Sequence, residues 1–181
     1  MRAAFVISLL IVVCSAAHAD EVLVNFGGGP QPHSNQRNTT FGVDYSFHRF
    51  ERSPRQHIEV GVSYTRLSTN APVNGSLYAL SVYPQLTFWP TKTALAARHA
   101  PAWAQPFFFV RALGPSYISE NALGTRQQAK HFAFQAQIGV GALIKNRTLL
   151  MLSWKHFSNA NLFSDNDGID LPLVLHVGVR F

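Results

Sequence analysis

His156 and Ser158 have the residue types and the spacing of a base and a nucleophile. Two apart on a strand, their side chains leave the same face about 6.6 Å apart along it, close enough for an imidazole to reach a hydroxyl. Asp170 opens the next strand-like segment. If the two segments form a hairpin, strands about 4.8 Å apart bring the acid beside the histidine, where it can orient the ring and stabilise its imidazolium. A serine, a histidine and an acid so placed perform acyl transfer. The hydroxyl attacks an ester carbonyl while the imidazole takes its proton, and water later releases the acyl group. Asn159 and Asn166 carry amides that can donate to a tetrahedral oxyanion, and Gly168 allows the intervening loop to turn back on itself.

Leu150, Leu152 and Trp154 share the parity of His156 and Ser158, whereas Ser153 and Lys155 fall on the other side. With the apolar row toward lipid, His156 and Ser158 stand on the outer wall at the end of that row. Polar groups there either do chemistry or mark the level where the strand leaves hydrocarbon and carries ordinary interface residues. Strict alternation back from Leu171 turns Asp170 inward, toward the lumen. The acid therefore joins the pair only across irregular backbone, for which Pro172 is a local reason.

The rest of the chain supplies strands to carry these residues. Apolar side chains recur at period two in Phe41, Val43, Tyr45 and Phe47, in Ile58, Val60, Val62 and Tyr64, and in Phe132, Phe134, Ala136, Ile138 and Val140. Tyr78, Leu80, Val82, Leu86 and Phe88 add another row, with Pro84 suggesting a bulge. Eight segments are expected, near 21 to 27, 39 to 50, 56 to 67, 76 to 89, 105 to 114, 130 to 144, 147 to 158 and 170 to 181. Eight is the smallest membrane barrel, whose strands span with roughly 9 to 11 residues and alternate apolar-out with polar-in. Leu171, Leu173, Leu175, Val177, Val179 and Phe181 share one face of the last segment and end on an aromatic, in the manner of the final strand of bacterial outer-membrane barrels. Alternation by itself also fits a secreted sandwich or a lipocalin-like barrel. The expected fold is all-β, an eight-stranded antiparallel transmembrane barrel of the outer membrane. With both termini in the periplasm, the connections near 28 to 38, 68 to 75, 115 to 129 and 159 to 169 face outside, and 51 to 55, 90 to 104 and 145 to 146 are inner turns.

The 181 residues are 47% hydrophobic and 13% charged, with a mean hydropathy of +0.05. Such dispersed apolar content excludes spanning helices, which need about 18 or more apolar residues in a row. The leader is the exception: Arg2, the run from Ala3 to Val13 and Ala17-His18-Ala19 read as a signal peptide over residues 1–19, leaving one domain over 20–181. Its removal takes away the single cysteine, Cys14, so no disulfide is expected, and Val13 is too bulky to precede a lipidated cysteine. The formal charge of +6, reduced by one with Arg2, suits an anionic surface. No cofactor and no metal are expected, because the histidines lack ligand spacing. Gly27 to Gly29 read as a bend without the Lys-Ser/Thr of a phosphate loop, and the charge is too dispersed for nucleic acid.

The run His156-Phe157-Ser158-Asn159-Ala160, followed by Asn166-Asp167-Gly168-Ile169-Asp170, resembles the signature of the outer-membrane lipid A 3-O-deacylases, the PagL family. Segment number, chain length and the terminal phenylalanine are similar as well, so the resemblance covers 20–181. It implies a serine esterase that hydrolyses the ester at the 3-position of lipid A and releases a 3-hydroxy fatty acid. Carried over, Ser158 is the nucleophile, His156 the base and then the acid, Asp170 the orienting acid, and Asn166 an oxyanion donor with Asn159 nearby. The family's best-known members have Glu where this chain has Asp170. Asp is one methylene shorter, so it must sit closer to His156, or Asp165 or Asp167 must take its place. The implied substrate is lipopolysaccharide in the outer leaflet, its acyl chains along the barrel exterior and its phosphates near Arg37, Arg126 and Lys130, with a homodimer allowed and no nucleic acid involved. Two other readings share the fold: a non-catalytic structural barrel, and another acyl-ester enzyme of the same leaflet, a phospholipase or an acyltransferase. A transferase that measures acyl length needs a pocket inside the barrel, which an outward pair does not use.

Overall fold

The structure, a computed structural model, describes residues 21–90 and 99–181. The expected signal peptide and part of the connection between 90 and 104 lie outside the described residues. Ten strands follow in order: β1 (Glu21–Pro30), β2 (Arg37–Ser53), β3 (Gln56–Thr69), β4 (Ser76–Phe88), β5 (Ala104–Ile118), β6 (Ala122–Leu123), β7 (Arg126–Gln127), β8 (Phe132–Ile144), β9 (Thr148–Ser158) and β10 (Ile169–Arg180). Eight of them close an antiparallel barrel in the order β1-β10-β9-β8-β5-β4-β3-β2, while β6 and β7 form a small hairpin in the connection between β5 and β8. The eight-stranded antiparallel barrel expected from the sequence is what forms. Closure runs from Glu21 opposite Arg180 to Gly28 opposite Leu173, so the first and last strands satisfy each other's backbone, as lipid surroundings demand.

Several strands outrun their expected bounds, and Gly27 to Gly29 are strand rather than bend. They continue β1 between β10 and β2. A Cβ on Gly27 would lie 2.1 Å from the Leu173 carbonyl oxygen and one on Gly28 2.0 Å from that of Asn38, with φ at 153° and 144°. Backbones this close, at such φ, admit only glycine. The irregularity expected at Pro84 falls instead on the neighbouring strand. Pro84 pairs in register with Val60 of β3, but β4–β5 pairing breaks from Ser81 to Gln85 and the extra residue sits on β5, where Leu113 takes φ 54°. Proline has no N–H to offer β5, and the strand facing that gap absorbs the mismatch as a bulge.

Outward positions are apolar, among them Phe26, Phe41, Val62, Leu80, Phe108, Ile138 and Leu152. The interior is not simply polar. A middle layer holds Asp44, Arg111, Gln85, Glu59, Lys155 and His176, whose buried charges are paired or hydrogen-bonded. Toward the chain termini Leu23, Phe107, Phe109, Leu143, Leu149 and Met151 pack into an apolar cluster. Toward the opposite end a second cluster gathers Leu67, Leu77, Ile118, Leu123, Phe157, Ile169, Leu171 and Val174. Each end of the lumen is thus filled by side chains that lose water on folding.

Candidate active site

β9 and β10 are joined by residues 159–168 at the end of the barrel away from the termini. Along β9, Leu150, Leu152 and Trp154 are exposed, and Leu149, Met151, Ser153, Lys155 and Phe157 are buried. His156 and Ser158 continue the outward row, each half-buried, as the period-two reading expected.

β10 does not keep a single parity. Asp170 pairs directly with His156 and Leu171 with Lys155, after which the register shifts so that Val174 pairs with Ser153. Three steps on β10 span two on β9, an extra residue held at Pro172–Leu173. A one-residue bulge reverses the facing of everything ahead of it. Beyond the bulge Val174 and His176 point inward and Leu173 and Val177 outward. Ahead of it Leu171 points inward and packs with Phe157, Ile169 and Val174, so it does not share the outer face of Leu173 as strict alternation expected. By the same reversal Asp170, which strict alternation sends to the lumen, comes out to the histidine.

Asp170 Oδ1 lies 2.9 Å from His156 Nδ1 and also accepts from Trp154 Nε1 at 3.1 Å. A proton on Nδ1, which the carboxylate requires, leaves Nε2 as the free acceptor of the ring. The short acid suffices because its Cα sits straight across from that of His156. The Asp167 carboxylate is occupied elsewhere, accepting from Gln127 N at 3.1 Å. Among the described residues Ser158 Oγ has no hydrogen bond to His156. Their shared face puts them side by side on the strand, and hydroxyl–imidazole bonds of this kind commonly tighten only when substrate is bound.

The loop amides brace the loop. Asn159 N donates to Asn166 Oδ1 at 2.7 Å, Asn159 Nδ2 donates to the Asp165 carbonyl, and Asn166 Nδ2 donates to Asn161 Oδ1 at 2.9 Å on the exposed side. Asn159 is fully buried. Gly168 serves a different purpose from the turn expected of it. Its φ is not in the left-handed region, but a Cβ there would lie 2.5 Å from His156 Cε1 and 3.2 Å from Nε2. The glycine lets loop backbone lie against the His156 ring.

Three residues outside the expected site also touch Asp170. Trp154, on the lipid-facing row, does so through its indole N–H. Gln31 Nε2 donates to Asp170 Oδ2 at 3.0 Å, and Asn38 Nδ2 donates to the Asp170 carbonyl at 3.1 Å. No short-range spacing signals either, since both come from the opposite end of the chain. Of the expected phosphate partners, Arg37 is exposed, Arg126 donates to the Pro32 carbonyl at 2.6 Å, and Lys130 Nζ stands 4.5 Å from the Phe163 ring centroid.

The sequence model of the lipid A 3-O-deacylase (PagL) family matches residues 75–180. Among solved structures, the outer membrane enzyme PagL matches with a TM-score of 0.63 at 17% identity, covering 89% of this chain and 99% of that one. Neisserial surface protein A matches with a TM-score of 0.52 at 11% identity, covering 89% and 95%. At such identities these two speak for the fold, that of small outer-membrane barrels. No curated protein matches. The family match takes in more than half of the chain, including the whole β8–β9–β10 wall that carries His156, Ser158 and Asp170, and the chain belongs to the lipid A 3-O-deacylase (PagL) family.

Proposed function

We propose that this chain hydrolyses the ester at the 3-position of lipid A through Ser158, His156 and Asp170, working in the outer leaflet of the outer membrane. The observation that carries the reading is the 2.9 Å His156–Asp170 contact on the outer wall, two residues from a serine on the same face. Ser158 Oγ attacks the ester carbonyl as His156 Nε2 takes its proton. Asp170 stabilises the imidazolium, which then gives its proton to the departing sugar oxygen, releasing it as a hydroxyl. A water activated by the same nitrogen hydrolyses the acyl-serine and frees the 3-hydroxy fatty acid. The developing oxyanion falls to Asn166 Nδ2, whose present partner Asn161 is exposed and replaceable, while buried Asn159 holds Asn166 in place.

The outward apolar row of Leu150, Leu152 and Trp154 leads up to the pair and offers the acyl chains a path along the wall, without an interior pocket. Arg37, Arg126 and Lys130 lie at the same end of the barrel for the lipid A phosphates. A purely structural barrel has no need of an acid brought out of the lumen by a bulge to meet a half-buried histidine on the outer wall. Mass spectrometry of lipid A after incubation with refolded protein in detergent tests the reading. We expect loss of one 3-hydroxyacyl chain with the wild type and none with Ser158→Ala. Unchanged lipid A from folded wild type would return the chain to the structural reading, and a gain in mass would make it an acyltransferase.

A further inference from the structure

Asp170 sits where β10 has the least strand support. Pairing with β1 reaches only Gly28 opposite Leu173, and pairing with β9 is interrupted just after Leu171. An amide side chain fills the gap. Gln31, 2% exposed, accepts from Asp170 N through Oε1 at 2.9 Å and donates through Nε2 to Asp170 Oδ2 at 3.0 Å and to the Gly168 carbonyl at 3.1 Å. One amide thereby grips both the backbone and the carboxylate of the acid, on the side opposite His156.

The direction of this amide is fixed from behind. Asn38, fully buried, donates through Nδ2 to Gln31 Oε1 at 2.7 Å. Gln36 Nε2 donates to Asn38 Oδ1 at 2.7 Å, and Gln36 Oε1 accepts from the backbone N–H of Thr125 at 3.0 Å. A backbone N–H cannot turn round, so each amide in the series is held to one orientation; reversing any of them would set donor against donor. Buried amides are tolerated when fully paired, and a series like this is rigid for that reason. Its last member delivers an N–H to the carboxylate oxygen that His156 does not use.

We propose that Gln31, oriented by Asn38, is a positioning residue that fixes the Asp170 carboxylate against His156 Nδ1. The proposal rests on the triad reading above and deepens it.

The test uses the refolded protein in detergent, with Gln31→Met, which keeps volume and removes both polar groups, and Asn38→Ala as a second variant. Two quantities are read: steady-state lipid A deacylation, and the downfield imidazole N–H proton resonance in the NMR spectrum that disappears in His156→Gln. For Gln31→Met we expect kcat to fall about 10- to 100-fold, the range for a lost hydrogen bond to a charged group, with KM within about twofold and the resonance broadened or lost. Asn38→Ala should act in the same direction and less strongly. Wild-type kcat in folded Gln31→Met, or a lower kcat with the resonance intact, would overturn the proposal. Failure of both variants to fold would make the network a structural brace and overturn it too. A wild type that leaves lipid A untouched but loses its resonance in Gln31→Met would sink the deacylase reading and leave the positioning role standing. A wild type lacking the resonance has no such bond to position, and overturns the proposal.

Discussion

The barrel contains two serine–histidine–aspartate sets, one sealed inside the lumen and one open on the outer wall. Inside the lumen, His176 Nε2 lies 3.0 Å from Ser153 Oγ and 2.7 Å from Gln137 Nε2, and His176 Nδ1 lies 3.4 Å from Asp44 Oδ2. On the outer wall, His156 meets Asp170 at 2.9 Å and its serine stands free of it. The inner acid is committed to a cation, Arg111 NH1 at 2.8 Å, and His176 and Asp44 are wholly buried between two apolar clusters. The outer ring keeps 25% of its side chain exposed. Contact geometry defines a hydrogen-bond network; access for an ester defines a site.

The contrast can be broken in descending order of effect. Ser158→Ala should reduce deacylation by about a thousandfold or more, as removal of a serine nucleophile does, while Ser153→Ala leaves the rate within about twofold, both read by mass spectrometry of lipid A. Asp170→Asn should slow the reaction roughly a hundred- to ten-thousandfold with folding intact. Asp44→Asn should act on the other quantity. It leaves Arg111 buried without its partner, at about 3–5 kcal/mol of stability, read as a lower midpoint of unfolding by gel mobility in urea. Gly168→Ala drives a methyl into the His156 ring and should cost activity on the order of tenfold while the barrel still folds. Trp154→Phe keeps the ring toward lipid but withdraws its N–H from Asp170, for a loss of about threefold to tenfold.

The sequence made the barrel legible because lipid on one side and a filled lumen on the other impose period two on every strand. Its triad candidates were legible because β9 is regular from Leu150 to Ser158. Where β10 departs from regularity the pattern misleads: Leu171 is apolar and therefore fits either face, and a bulge is a mismatch of residue number between two strands that neither displays alone. The Gln31–Asn38 series was hidden for another reason. Gln31 meets an acid 139 residues away, and only the closing of β1 on β10 brings them together. The inner serine–histidine–aspartate set likewise assembles across the lumen, from β2, β9 and β10.

The filled lumen has an electrical consequence. Ionic current through a barrel needs a continuous column of water, and here any such column would have to displace packed Phe107, Phe109 and Met151 near one mouth, Leu67, Ile118 and Phe157 near the other, and the Asp44–Arg111 pair between them. Inserted in a planar bilayer under an applied voltage, this protein should add no steady conductance, so a cell can carry many copies without opening its envelope to salts and small solutes.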